Sequence, residues 1–277
     1  MRTPRYASLS RRHLVLAAAI LSPAVAACAL PAKGQDMIQY LDLKSDEFTK
    51  ADLTRADVER LIREAGGPKG LDLSARRLNG LDLSGIDLSG ANLQSARINK
   101  TIFKGARLDG AVLDQAWGLD ADLSGASLQG ASLFSTQLMG AKLDGADFTN
   151  ARVAADFSRA SLKGAVFRKA DLSADMRNQS MGLMRGVFRS ADLTGATFRD
   201  ANLARVVLEY ARLSGADLRG ANLMGAEMGG ADLTGAVIEG ANFDEADINS
   251  ARLLGLKGRS AANKLDAAKN GDRAFWD

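Results

Sequence analysis

A five-residue repeat runs through most of this 277-residue chain, and no other feature restricts the fold as strongly. Residues 216–230 read ADLRG ANLMG AEMGG, with a small residue first and a large apolar residue third in each unit. Counted on that third, central residue, five-residue steps run from Leu73 to Val153 and from Phe188 to Leu253. A short period sustained over such a length is typical of a solenoid, in which each coil buries its apolar surface on its neighbours.

Individual units such as ADLTG (191–195), ANLMG (221–225) and ADLSG (121–125) resemble the pentapeptide-repeat family, whose consensus is A-(D/N)-L-x-x. The resemblance implies an all-β solenoid, a right-handed quadrilateral β-helix of about nine coils with short helical caps at both ends. In that fold the central residue and the residue two before it point inward. The repeat centres include seven of the ten phenylalanines, as expected of interior bulk: Phe103, Phe148, Phe157, Phe167, Phe188, Phe198 and Phe243.

The repeat pattern also suggests the domain organisation. We expect an N-terminal capping helix because Thr54 and Asp57 have the spacing of a capping box and Gly66 is a typical helix stop. We expect a second short helix over residues 260–271, which would close the other end. The predicted segments are an export signal (1–27), a linker or lead-in (28–52), the N-terminal capping helix and loop (53–70), the repeats (71–255) and a C-terminal helical cap (256–277).

The first residues have the pattern of an export signal, with basic residues followed by an apolar run and then small residues. Residues 10–15 resemble a twin-arginine motif, which would make Arg11 and Arg12 the export signature. Residues 25–28 resemble a lipobox, which would make Cys28 the lipidated N-terminus. The alternatives are an ordinary secretory signal and simple cleavage after Ala26. Either way, the predicted location is the periplasm or cell envelope, with a membrane tether if Cys28 is lipidated.

Charge and composition narrow the function. The net charge of +3 comes from 36 basic and 33 acidic residues, and residues 1–27 contain four of the arginines and no acid. Without that segment 32 basic residues face 33 acidic ones, a net charge of −1, so a nucleic-acid partner is not expected. His13 and Cys28 are the only histidine and cysteine. We therefore predict no catalytic, metal or cofactor-binding residues and no cofactor.

Three irregularities interrupt the repeat: Gly118 at a central position, a step of four from Val153 to Phe157, and a step of eleven from Leu172 to Leu183. With four units per coil, all three fall on one face, which suggests a surface for a protein partner. The alternative is neutral drift, with Trp117 turned inward to fill the space beside Gly118. The candidate partner-binding residues are Trp117, Leu119, Met139, Arg159, Met176, Arg177, Asn178, Gln179 and Arg199.

The predicted function is that of a non-enzymatic, exported scaffold or protein-interaction module with an unidentified protein partner. A homodimer formed through the terminal caps stays open. The family resemblance offers an alternative, a DNA-mimicking inhibitor or protector of DNA gyrase, which would require a strongly acidic cytosolic protein. The net charge of −1 and the export signal disfavour it. A carboxylate-only glycosidase would need two carboxylates facing a groove, which the regular repeat does not provide.

Overall fold

The structure is a computed structural model that describes residues 41–176 and 184–277, of which residues 42–277 form one compact unit. Among the described residues, no helix has the length and apolar character needed to cross a membrane. Six residues singled out in the sequence lie outside the described residues: Arg11, Arg12, Cys28, Arg177, Asn178 and Gln179.

One-residue parallel β-bridges join residues that are 20 positions apart and build a four-sided β-helix. Asn92 illustrates the pairing: its N–H donates to the carbonyl of Leu71 at 2.8 Å, and its carbonyl accepts from the N–H of Leu73 at 2.7 Å. Four such ladders run along the coils. We call them sides one to four, and they begin at Asp72, Arg77, Asp82 and Asp87 respectively. The four units per coil that the family resemblance implies are therefore present.

Each letter of the repeat has a structural task. The first residue and the central residue point inward, as Ala96 and Ile98 do with no exposed surface, while the bridge residue between them faces out. An aspartate at the bridge position closes the following turn, since Oδ1 of Asp82 accepts from the N–H of Ser84 at 2.9 Å. The fifth residue forms the corner with positive φ, 67° at Gly85, a conformation that glycine adopts without strain.

Two helices precede the coils. Helix α1 spans Asp46–Thr49, and helix α2 spans Arg55–Glu64. Thr54 and Asp57 form the predicted capping box at the start of α2. Val58 of α2 is fully buried in the same core cluster as the first coils, so α2 covers apolar surface that the first coil would otherwise expose.

The C-terminal segment is not the predicted helical cap. It contains three 3₁₀ turns, Arg259–Ala261, Leu265–Ala267 and Gly271–Arg273, between bridge residues that recur every six positions. The inward residues also recur every six positions, a spacing that an α-helix cannot keep on one face. They are Leu256, Ala262, Ala268 and Ala274. The segment is thus a further coil with longer corners.

The eleven-residue irregularity is one excursion from the coil. Bridge partners on either side of it, such as Asp156 and Val187, are 31 residues apart instead of 20. The excursion leaves and returns at the corner between sides one and two, because the N–H of Gly186 donates to the carbonyl of Leu172 at 2.9 Å. Phe188 is therefore the next central residue after Leu172. Leu183, which the repeat pattern suggests as a centre, lies outside the described residues.

This register places one candidate residue, Arg199, on a different side from the one that the sequence predicts. Side two continues from Phe157 to Phe188, whose rings stack with centroids 5.0 Å apart, whereas Phe198 belongs to side four. Arg199 follows Phe198 and so lies on side four, away from the other candidates. The four-residue step near Ala154 changes the coil less than the excursion does. Bridges there join residues 19 apart instead of 20, and Ala154 and Ala155 are both buried.

Candidate interaction surface on side two

Side two brings together most of the described candidate residues. Trp117 is a bridge residue of this side, and Leu119 and Met139 follow its central positions on successive coils. Arg159 is exposed at the next corner, with φ of 60°. Met176 begins the excursion at the corner that enters side two, and 58% of its surface is exposed. The three irregularities therefore do share one side, although Arg199 does not join them.

Gly118 does not leave a hole in the core. A Cβ atom on Gly118 would lie 2.9 Å from Cδ2 of Leu138 and 3.2 Å from Cγ1 of Ile98, so the central residues of the adjacent coils already fill the space. Trp117 stays on the outer surface as a half-buried residue. The interpretation in which Trp117 turns inward is wrong, because close packing from above and below makes that space unavailable.

Trp117 instead contacts a segment that precedes the repeats. We call residues 42–50, which include α1, the clip. Phe48 of the clip is 8% exposed, and its ring meets the ring of Trp117 edge to face at 5.4 Å. The guanidinium of Arg97 lies 5.3 Å from the centre of the Phe48 ring, and its Nη2 donates to Oε1 of Glu47 at 2.6 Å. One aromatic and one acidic side chain of the clip are thus recognised together.

Two stacked asparagines on side two bind the backbone of the clip. Nδ2 of Asn79 donates to the carbonyls of Glu47 at 2.9 Å and Lys50 at 3.0 Å. Nδ2 of Asn99 donates to the carbonyl of Phe48 at 3.4 Å. Both asparagines are buried, and Oδ1 of Asn79 accepts from the N–H of Asn99 at 3.0 Å, which holds the pair in line. Such donors satisfy carbonyls that the end of a helix leaves unpaired.

Neither asparagine is among the candidate residues predicted from the repeat. They follow central positions on consecutive coils, 20 residues apart, and polar residues at such positions are common in the repeat. The register alone places Asn79 and Asn99 directly beneath Leu119. What the register cannot show is that they donate to a segment that precedes the repeats.

The clip does not fill its site. A cavity of about 250 Å³ lies beside Phe48 and opens between the clip and the wall of side two. Its lining combines apolar side chains with a charged rim: Leu43, Phe48, Thr49, Gly80, Asn99, Lys100, Leu119 and Asp120. Leu119, a predicted candidate, therefore lines a space that remains free next to the bound segment.

The later coils of side two contain a groove beside the exposed ring of Tyr210. Tyr210 is 67% exposed, and its ring lies against Gly230. It borders a groove of about 530 Å³ that also contains Glu209 and Glu227. Both carboxylates are already paired, Glu209 with Arg189 at 2.8 Å and Glu227 with Arg185 at 2.9 Å. This groove is polar, and Asp247 adds a third carboxylate to its lining.

The aspartates of the coils serve the fold. Hydrogen bonds from Arg219, followed by those from Arg199, hold the pKa of Asp217 far below its ordinary value. Partial burial raises the pKa of Asp192, but hydrogen bonds from Thr194 and the charges of Arg212 and Lys163 outweigh it and lower the pKa overall. These carboxylates stay ionised at neutral pH and accept structural hydrogen bonds. Within residues 41–176 and 184–277, no cluster of metal-ligating side chains is found.

A four-sided β-helix of five-residue units defines a class of repeat protein, and comparisons with known proteins agree with that class. The family model for pentapeptide repeats matches eight copies in this chain, over residues 70–105, 120–152, 153–174, 187–225 and 226–257. The chain belongs to the pentapeptide-repeat family, whose members fold as right-handed quadrilateral β-helices. The unmatched stretches 106–119 and 175–186 contain Gly118 and the excursion respectively.

Solved structures of pentapeptide-repeat proteins resemble the chain. HetL, which is involved in heterocyst differentiation regulation in the cyanobacterium Nostoc sp. strain PCC 7120, is 28% identical over 79% of this chain and 98% of its own, with a TM-score of 0.38. Rfr23 from the cyanobacterium Cyanothece 51142 is 28% identical over 44% and 64%, with a TM-score of 0.29. Full-length QnrB1, a plasmid-mediated fluoroquinolone resistance protein, is 20% identical over 76% and 85%, with a TM-score of 0.32. A search of curated proteins gives no significant match.

Proposed function

We propose that this protein is a non-enzymatic scaffold of the cell envelope that presents side two to a protein partner. The observation that carries the proposal is the concentration of irregular features on this side. Gly118, the shortened corner, the eleven-residue excursion and the clip all lie on this side or at the corner that enters it, while all four ladders continue through the described coils. Partner surfaces in repeat proteins are built where side chains depart from the repeat on a rigid support.

The state of the carboxylates supports a non-enzymatic role. General acid catalysis at neutral pH requires a carboxyl group whose pKa is raised, and the shifts resolved for aspartates in the described coils are downward. Asp217 and Asp192 are each held by at least two donors from the β-helix itself. Their chemistry is that of turn formation and pairing between coils.

The predicted export signal supports a location in the envelope. Arg11 and Arg12 would direct export, and lipidated Cys28 would tether the mature protein. The distance from Cys28 to the clip is fewer than twenty residues. A tether of this length would keep the β-helix within reach of a membrane surface.

Cell fractionation tests location and tether together. We expect the full chain in the membrane fraction, Cys28→Ser in the soluble exported fraction, and the Arg11→Lys, Arg12→Lys double variant retained as precursor in the cytoplasm. Full chain that remains cytoplasmic would refute the envelope assignment. Unchanged partitioning of Cys28→Ser would refute the lipid tether alone.

Site-specific photocrosslinking in cells tests the partner surface. We expect a crosslinker at Met139 or Arg159 to give one reproducible adduct. Arg168, an exposed residue on side four, is the matched control position and should give none. Equal adducts from both sides would contradict a dedicated surface, and an adduct of twice the chain mass would identify a second copy as the partner.

A further inference from the structure

The site at Trp117 already holds a peptide. We propose that it is a peptide-binding site for which the clip is the resident ligand. Partner proteins would bind there by presenting an acidic residue followed by phenylalanine in one helical turn, which displaces the clip. This inference rests on the proposed function, because it specifies what side two recognises.

Recognition at the site uses few features of the clip. Asn79 and Asn99 bind main-chain carbonyls, which every peptide in a helical turn presents. Two clip side chains add selectivity: the carboxylate of Glu47, which pairs with Arg97, and the ring of Phe48, which packs on Trp117. Any segment with this pair of side chains in a helical turn can make the same contacts.

The resident ligand leaves part of the site unused. Glu47 takes only one nitrogen of Arg97, and the buried Nε atom of the same guanidinium has no hydrogen-bond partner. A carboxylate placed slightly differently would engage both nitrogens, which is the stronger geometry for arginine. The cavity of about 250 Å³ beside Phe48 gives a bulkier ligand room that the clip does not occupy.

The clip is also easily displaced. Helix α1 has four residues, far fewer than an isolated helix needs to be stable, and Phe48 is its one buried side chain. Its internal ion pair between Lys50 and Asp46 is largely exposed and adds little. The clip therefore depends on the site more than the site depends on the clip, since the coils beneath it are braced by their own ladders.

Binding of a labelled peptide tests the inference. The probe is a fluorescent peptide of residues 42–52, added to the full chain and to its Phe48→Ala variant. Because the clip competes in the native chain, we expect binding to Phe48→Ala to be at least about tenfold tighter than to the unchanged chain. Adding Trp117→Ala to Phe48→Ala should abolish binding, whereas Tyr210→Ala, an exposed aromatic elsewhere on side two, should not change it.

The peptide itself provides the specificity control. Replacing its Glu47 by Gln or its Phe48 by Ala should each weaken binding at least about tenfold. If the clip variant is folded by circular dichroism and yet fails to bind, the double variant Glu47→Ala, Phe48→Ala removes both side-chain contacts of the clip and leaves only its main-chain hydrogen bonds to Asn79 and Asn99. Failure of that double variant would overturn the proposal and show that the clip is a permanent brace.

Exchange of clips between two copies is the competing explanation. It predicts that the unchanged chain forms a dimer at high concentration and that Phe48→Ala abolishes the dimer. That result would overturn the proposal that the ligand comes from a partner protein. A monomer that binds the peptide supports the proposal. Because these measurements use purified protein, their failure leaves the fractionation and crosslinking results standing.

Discussion

Sides two and four face each other across the β-helix and have similar interiors but different exteriors. Their phenylalanines interlock: Phe157 and Phe188 stack on side two, Phe148, Phe167 and Phe198 stack on side four, and the two sets meet edge to face. Outside, side four continues its ladder without a clip, whereas side two carries the clip, Gly118 and the excursion.

This contrast shows that the β-helix separates interior packing from exterior variation. Each coil needs its inward positions filled and its bridges made, and both conditions are met on side two despite eleven extra residues. The excursion is inserted where the interior is richest in aromatic rings. The stacked rings continue across it, because Phe157 before the excursion packs on Phe188 after it.

The largest expected effect is on stability, and it tests whether the buried phenylalanines of sides two and four are packed equally well. Phe157→Ala on side two and Phe167→Ala on side four should each lower the free energy of unfolding by about 3–5 kcal/mol, because each removes a buried ring from the stacked set. Denaturant unfolding measures both. Phe103→Ala, a buried ring outside this set, is the control and should cost about 0.5–1.5 kcal/mol less. A side-two variant that loses less than half as much as Phe167→Ala would mean that the irregular side is loosely packed.

The next effect concerns Gly118, where the repeat predicts leucine. Gly118→Leu should destabilise the protein by about 1–3 kcal/mol, because Ile98 and Leu138 occupy the space that the new side chain needs. Thermal unfolding of Gly118→Leu, Leu138→Ala and the double variant separates the contributions. The double variant should recover part of the loss. A more stable Gly118→Leu would show that the site is an unfilled defect.

Corner glycines give a smaller contrast. Gly145→Ala places a side chain in open space at φ of 69°, so only the left-handed backbone should matter, at about 1 kcal/mol. Gly230→Ala should cost more, up to about 2 kcal/mol, because its Cβ would lie 2.7 Å from the ring of Tyr210. Tyr210→Ala should remove the excess. If both glycine variants unfold at the same denaturant concentration, the ring adjusts freely and side two is softer there than the structure indicates.

The smallest expected effect is electrostatic and concerns side four. Asp217 has its pKa lowered by Arg219 and Arg199, so its stabilisation is full above the ordinary carboxyl value of 3.8 and is lost as pH falls through the lowered pKa. Asp217→Asn should therefore cost up to about 1 kcal/mol at pH 7, and the difference should shrink in acid. Unfolding measured across pH tests this, with exposed Asp272→Asn as control. A gap that persists at the lowest pH would assign the loss to packing instead of charge.

Much of the fold was predictable because the repeat is local. Alanine and a large apolar residue two positions apart define what points inward, and aspartate between them closes the turn, as seen at Asp82. The capping box of Thr54 and Asp57 was equally readable, since capping depends on neighbours three residues away.

The wrong predictions have two separate causes. An insertion of eleven residues leaves the same five-residue phase as an insertion of one. The pattern therefore could not show that the next repeat centre after Leu172 is Phe188. Arg199 was misplaced for that reason. At the C-terminus, Leu265 and its neighbours suit a short helix locally, but the six-residue recurrence of inward positions made the segment a coil.

The sequence by itself determined the five-residue repeat, and through its resemblance to the pentapeptide-repeat family it implied the four-sided coil, its inward residues and the side on which the irregularities gather. Each of these depends on contacts between units at a constant spacing. Tertiary structure decided what those irregularities do. Trp117 could be identified as exceptional from the repeat, but only folding places Phe48 on it, with Asn79 and Asn99 holding the backbone between them. Those partners lie far apart along the chain, and no local spacing encodes their meeting.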